Sequence, residues 1–265
     1  MLSQLVILSV LLVVTHSYVH VTLSHRIARS SLSATPKRSE NIFSGLIEMF
    51  NGGASKLKSS SSSNELKTIR LEVDNNREFL RLAAETKQED SDNVVTSLLA
   101  LEKLMRQQNK LDDGRTAEDT LKFLNGSWRL IFTTGTADTQ KKIGRINYFP
   151  LKAVQTFDTA SGEITNGIYI TEDFEVLKFY GQFKFLSRLR KVEFDFDSLS
   201  ILKLKFNLPT GGAAKIGQQT GLGSENNVAL INDSKKPFFN WILADESIAV
   251  ARGGGGGLAL WQRVL

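Results

Sequence analysis

The hydrophobic positions change period once along this chain, and that change divides it. Leu66, Ile69, Val73, Asn76, Leu80 and Ala84 recur at steps of three and four. So do Val94, Leu98, Leu101 and Met105, with Leu99 and Leu104 widening the second stripe. This spacing keeps one face apolar at 3.6 residues per turn and predicts two amphipathic helices whose stripes are packing faces. Thr116 and Asp119 match a capping box ahead of Leu121, Phe123 and Leu124, which predicts a short third helix.

From Asn125 the period falls to two, and 18 of the 23 aromatic residues lie between 125 and 265. Val192, Phe194 and Phe196 alternate with Glu193, Asp195 and Asp197; Leu202, Leu204, Phe206 and Leu208 alternate with Lys203, Lys205 and Asn207. Leu177, Phe179, Phe183 and Phe185 share a face around Gly181, opposite Lys178, Gln182 and Lys184. Ile248 and Val250 alternate with alanines, and Leu258 and Leu260 with Ala259 and Trp261. Turn signals at Ser161-Gly162, Asn166-Gly167 and Gly253–Gly257 separate the runs. About seven to nine short strands with one apolar face predict a closed antiparallel barrel or a sandwich. The predicted class is α+β, mostly β, with helices over 64–124 and strands over 125–265.

Composition removes most catalytic chemistries. The chain has 265 residues and no cysteine, and His16, His20 and His25 are its only histidines. Once the leader argued below is removed, no triad, Cys-His pair, haem or histidine metal site can be built. No metal or other cofactor is expected. The net charge of +5 is mostly local: residues 1–39 hold Arg26, Arg29, Lys37 and Arg38 and no acid, leaving 29 basic against 28 acidic residues. That balance gives no reason to expect nucleic acid as a partner.

The leader reads as an address. Residues 5–14 are an apolar run of ten, too short to cross a bilayer as a helix. Thr15 and Ser17 stand at cleavage-type positions, giving a signal peptide over 1–17. Residues 18–39 are rich in Ser, Thr and Arg, a transit-peptide composition. A short amphipathic helix over 40–50, read as leader remnant, and a Gly/Ser linker complete a transit-like segment over 18–63. The order signal peptide, aromatic junction, transit peptide resembles the bipartite leader of algae with secondary plastids. The alternative is secretion with a basic linker. No transmembrane helix is expected in the mature protein.

Three stretches carry a further resemblance. LNGSWRLIFTTGT (124–136), AVQTFDTASGEITNGIYI (153–170) and WILADESIAVARGGGGGLALWQRV (241–264) resemble, in order, the opening, the next strand pair and the closing signature of plastid lipid-associated proteins, or fibrillins. The resemblance covers about residues 65–265. It implies a lipocalin-like antiparallel β-barrel over 125–265 that handles an apolar lipid or pigment: a prenylquinone, a carotenoid or an acyl lipid. Lipid-droplet (plastoglobule) or thylakoid surfaces are the implied setting. No catalysis is implied. The alternatives are an enzyme acting on a lipid in the same cavity, or a coat protein whose barrel is filled by its own side chains. Gly126-Ser127-Trp128 also resembles the Gly-x-Trp that opens the first lipocalin strand, which implies a closing cation–π contact from an arginine of the last strand. Arg263 is the first candidate, Arg252 the second.

The remaining candidates follow from strand phase and charge. In a closed barrel alternate residues face the lumen, so Phe157, Ile168, Leu177, Phe179, Phe183 and Phe185 are the predicted ligand-lining set. Asp245, before the last two strands, reads as a carboxylate tying the barrel end or touching ligand. Asp195 and Asp197 read as a solvated face, and Lys184, Arg188, Arg190 and Lys191 as a solvated basic turn that could also meet anionic lipid. The glycines at 253–257 lead into a strand rather than Lys-Ser/Thr and a helix, so they read as a rim turn, not a phosphate loop. Residues 209–227 read as a long loop or lid between strands.

Overall fold

The computed structural model describes residues 60–112, 114–171, 173–220, 225–232 and 235–264. The expected leader, the 40–50 helix and most of the linker therefore lie outside the described residues. Helix α1 (Ser60–Thr86) begins inside the serine run expected to belong to the linker. A short connection leads to α2 (Ser91–Leu111), whose first turn is capped by Asp90: its Oδ1 accepts from the amides of Asp92 and Asn93 at 2.9 and 3.1 Å. Leu80, Ala84, Val94, Leu98 and Leu101 are buried, as their spacing predicts, while Leu99 is exposed, so the second stripe is narrower than expected. Asn76, inside the apolar stripe of α1, is satisfied by the Ser97 hydroxyl of α2, which donates to its Oδ1 at 2.9 Å. Helix α3 (Arg115–Leu124) forms, but not through the predicted capping box. Asp112 serves its first turn instead, accepting from the Thr116 amide at 3.1 Å and from the Thr116 hydroxyl.

The rest of the chain builds one antiparallel sheet of ten strands. They are β1 (Gly126–Thr133), β2 (Asn147–Tyr148), β3 (Lys152–Asp158), β4 (Glu163–Tyr169), β5 (Glu175–Leu186), β6 (Lys191–Ile201), β7 (Leu204–Asn207), β8 (Phe238–Ala244), β9 (Ile248–Gly253) and β10 (Leu258–Val264). The path β1-β3-β4-β5-β6-β8-β9-β10 returns to its start because β10 pairs with β1, so the sheet closes into a ring. Strand β2 attaches to β1, and β7 to β6. The closure is uneven: β6 and β8 share only the pairs Lys191–Asn240, Val192–Phe239 and Glu193–Phe238. Above them the two strands part.

The helices cover one outer flank of the ring. Ile131, Phe132, Ile242, Leu243, Ile248, Val250, Leu258 and Leu260 pack outward against Leu80, Leu98 and Leu101. Ala249, Ala251 and Trp261, on the other face of the same strands, pack inward. Strands β9 and β10 are thus buried on both faces, and the small side chains of Ala249 and Ala251 leave interior room for tryptophans. Irregularities set these phases. One extra residue in β1 (Ile131) and one in β8 (Ile242) place consecutive apolar residues on the helix side. A third, at Asp197 of β6, turns Asp197 outward between inward Phe196 and Leu199.

Gly181 of β5 makes this last irregularity possible. A Cβ there would stand 1.9 Å from the Asp195 carbonyl oxygen and 2.8 Å from the Phe196 Cα. Backbone cannot yield as a side chain does. Gly181→Ala should therefore lower stability by about 1–3 kcal/mol, read from urea unfolding. A shift below about 0.5 kcal/mol, the range of surface substitutions, would show that β6 does not approach so closely.

Two sequence expectations are corrected here. Leu202 and Lys203 do not continue an alternating strand: both have positive φ, 49° and 70°, and turn the chain from β6 into β7. Leu202 and Leu204 are consequently exposed. Residues 209–227 are not a plain loop, because they contain α5 (Gly212–Thr220) and the start of α6 (Glu225–Asn232). Between β1 and β2 lies α4 (Ala137–Ile143).

Candidate functional site

The interior of the ring is layered by strand register. Ala153, Ile168, Leu177 and Ile201 face one another across β3 to β6; below them come Gln155, Asn166, Phe179 and Leu199, and then Phe157, Ile164, Gly181 and Phe196. The lower half is filled by aromatic rings. Phe157 meets Phe183 edge-on at 5.3 Å and Trp241 at 5.5 Å, Trp241 meets Trp261 at 5.3 Å, and Phe194 stacks on Phe239 at 5.1 Å. Such pairs add about 0.5–1.5 kcal/mol each beyond area burial. Phe183 and Phe185 join this packed cluster from β5.

Above the rings the interior opens into a half-open pocket of about 320 Å³. Leu130, Ile168, Leu177, Phe179, Phe196 and Trp261 supply its apolar walls. Where β6 and β8 part, Ala213, Ala214 and Ile216 of α5 complete the wall. The glycine turn after β9 forms part of the mouth. It approaches the end of β1 so closely that a Cβ on Gly257 would lie 2.4 Å from the Gly135 carbonyl oxygen. That turn is a rim element, as its sequence predicts.

The mouth is polar but self-satisfied. Thr133 donates to the Leu258 carbonyl at 3.1 Å, and the Thr136 and Thr139 hydroxyls lie 2.9 Å apart. Deeper in, Gln155 and Asn166 line the pocket as register partners. Among the described residues no Lys or Arg lines it, and Asp195 is the one acidic residue of the lining, with Oδ1 accepting from the Phe196 amide at 2.9 Å. Among the described residues no group of three His, Cys, Asp or Glu could hold a metal ion. The described lining offers apolar contact, the mouth threonines and two carboxamides.

The opposite end is closed by Trp128. Its ring is fully buried, and its indole N–H donates to the Leu124 carbonyl at 2.9 Å. The Arg263 guanidinium lies 4.1 Å from the ring centroid and donates to the carbonyls of Asn125 at 2.9 Å, Asp245 at 3.1 Å and Phe123. Burial lowers the Arg263 pKa from its ordinary value, while the charges of Asp245 and Glu246 oppose that shift. Gly126 has φ of 116°, and a Cβ on it would stand 2.8 Å from this guanidinium, which explains the glycine two residues before the tryptophan.

The six residues predicted to line the lumen thus divide. Ile168, Leu177 and Phe179 line the pocket; Phe157, Phe183 and Phe185 lie in the aromatic interior beneath it. Arg252 is not at the tryptophan. It pairs with Glu102 of α2, with its Nη2 2.6 Å from Oε2. Asp245 ties the β8–β9 turn, its Oδ1 accepting from the amides of Ser247 and Ile248 at 2.7 and 2.8 Å. The basic turn is not one solvated patch: Arg190 is 7 % exposed and donates to the Ile242 carbonyl at 2.8 Å, and Lys191 pairs with Glu193 at 2.7 Å. Gln155, Asn166 and the α5 wall were missed. The inward phase of Ala153 and Phe157 marks Gln155, and the run Ala213-Ala214-Lys215-Ile216 has helix-forming composition.

The PAP_fibrillin family profile matches residues 64–261 of this chain. No curated protein matches it. The matched span begins in α1 and ends in β10, so it takes in both the helix layer and the ring.

Proposed function

This chain belongs to the plastid lipid-associated protein family, the fibrillins, and from that premise we propose that it holds one apolar lipid or pigment in the pocket of its ring. The family is plastid- and lipid-associated and generally structural rather than enzymatic. The ring acts as a lipocalin-like barrel, packed at the Trp128 end and receptive at the other. The ligand is a prenylquinone, a carotenoid or an acyl lipid, held without turnover at a plastoglobule or thylakoid surface. A signal peptide over 1–17 and a transit segment over 18–63 deliver the helical segment 64–124 and the barrel 125–265 to a secondary plastid.

The observation that supports this reading is the pocket itself, about 320 Å³ with predominantly apolar walls. Apolar surface leaving water contributes roughly 25 cal/mol per Å², so retention needs no covalent step. The volume lies near the bottom of the range of about 300–1,000 Å³ that encloses drug-sized ligands. A long-chain lipid therefore fits only in part, and the remainder extends through the mouth.

The test is lipid carried through purification from a mixture of plastid-type lipids, identified by mass spectrometry. Phe179→Asp places a carboxylate on the pocket wall, where desolvation costs several kcal/mol, and is expected to strip the lipid. Lys184→Glu, on the exposed side of β5, should leave it bound. Circular dichroism checks that each variant is folded. Full lipid on a folded Phe179→Asp protein would place the ligand elsewhere. A folded wild type that carries none would favour a coating role.

A further inference from the structure

We infer that the pocket takes its ligand head-first: an uncharged head bearing carbonyl or hydroxyl oxygens bonds to Gln155 and Asn166 at depth, and the tail leaves through the mouth. The inference rests on the pocket reading above and specifies its ligand class and orientation.

Gln155 is only 5 % exposed, on the inward face of β3 between Ala153 and Phe157. Asn166 stands directly opposite on β4. Both line the pocket, and among the described residues neither carboxamide has a hydrogen-bond partner. Gln155 is buried and Asn166 half-buried, and an amide drawn away from bulk water is almost always satisfied by some partner. The threonines at the mouth, by contrast, bond to backbone or to each other. The two unpartnered carboxamides of the lining therefore stand together one layer above the aromatic floor, open to the pocket, while the fully buried atoms without a partner, such as Trp241 Nε1, lie elsewhere. Each carboxamide brings two donors and one acceptor oxygen, so the pair can donate to a carbonyl or accept from a hydroxyl.

Charge narrows the class. A carboxylate or phosphate head would meet no Lys or Arg among the described residues of the lining. A pure hydrocarbon would leave both carboxamides unpaired. A neutral head with oxygens fits, and the walls of Phe179, Phe196 and Trp261 suit a planar ring such as a quinone or quinol. The mouth end supplies the path for the tail: Ile143 on α4, Ile170 and Phe174 between β4 and β5, and Leu202 and Leu204 at the β6–β7 turn are all exposed there.

The test titrates the full-length protein with decyl-benzoquinone, its ring-oxygen-methylated dimethoxybenzene analogue, and decane. The readout is quenching of tryptophan fluorescence, Trp261 being in the wall, or competition where a probe does not quench. The Gln155→Leu/Asn166→Leu double variant is expected to weaken quinone binding about tenfold, the scale of one or two hydrogen bonds lost, and to leave decane binding equal or tighter. Methylating the ring oxygens should weaken binding to wild type and change nothing for the double variant. Lengthening the tail should not weaken binding. Gln155→Met with Asn166→Leu serves as a second variant should the first fail to fold. Equal quinone affinity in wild type and a folded double variant overturns the head-first inference and leaves the pocket reading standing. A folded wild type that binds neither quinone nor decane overturns both.

Discussion

Trp128→Ala is expected to destabilise the protein by about 3–5 kcal/mol, the usual cost of truncating a large, fully buried aromatic. The indole is fully buried, contributes to the interior cluster, and bonds the last carbonyl of α3. Its loss leaves a cavity and an unpaired Leu124 oxygen together. Arg263→Ala should cost less, because its guanidinium sits at the rim of the base and three carbonyls it serves can turn to water. The two losses should not add. A cation 4.1 Å from an indole centroid and only partly buried is worth about 0.5–2 kcal/mol, and that coupling should appear in a double-mutant cycle followed by urea unfolding. Strict additivity would mean that arginine and tryptophan stabilise the base independently.

That contact was legible because its parts lie at recognisable places in the sequence: a Gly-x-Trp where the period switches from helical to two, and an arginine in the last apolar strand. The two helical stripes and most strand faces were legible for the same reason, since burial on one side writes itself as a period. What escaped has physical causes. The extra residues in β1, β6 and β8 shift strand phase by one without changing composition, so Ile131-Phe132 and Ile242-Leu243 cannot be assigned to one side from alternation. The turn at Leu202-Lys203 uses positive φ without glycine or asparagine and leaves no turn signal. Helix α5 hides between glycines, and its role as a wall exists only because β6 and β8 separate. The predicted lumen set is a single face of strands, but a face does not say where side chains fill the interior and where they stop. The stop is set by Phe157, Trp241 and Trp261, which arrive from three different strands.

The pairing of Arg252 was beyond any local reading, because Glu102 lies 150 residues away. Arg252 grips that carboxylate with Nε 3.0 Å from Oε1 and Nη2 2.6 Å from Oε2, and Arg106 adds a third contact at 2.8 Å. It also donates to the Gly256 carbonyl at 2.7 Å, so one side chain joins α2, β9 and the glycine turn at the pocket mouth. The hydrogen bonds from Arg252, with the charges of Arg252 and Arg106, hold the Glu102 carboxyl below its ordinary pKa, against the opposing effect of burial. A carboxylate depressed in the folded state contributes stability that is present above its unfolded pKa and lost as pH falls through its folded value. Glu102→Gln should accordingly cost about 1.5–3 kcal/mol at pH 7, toward the lower figure because Arg252 keeps some solvent contact. The gap between wild type and variant should narrow as pH is lowered from about 4.5, where unfolded glutamates begin to take up protons. Paired urea unfolding curves at pH 7, 4.5 and 3 measure it. A gap that stays constant across that range would show that Glu102 stabilises by packing rather than by its charge, leaving contacts such as Tyr148 to the Glu89 carbonyl as the polar ties between the helix layer and the ring.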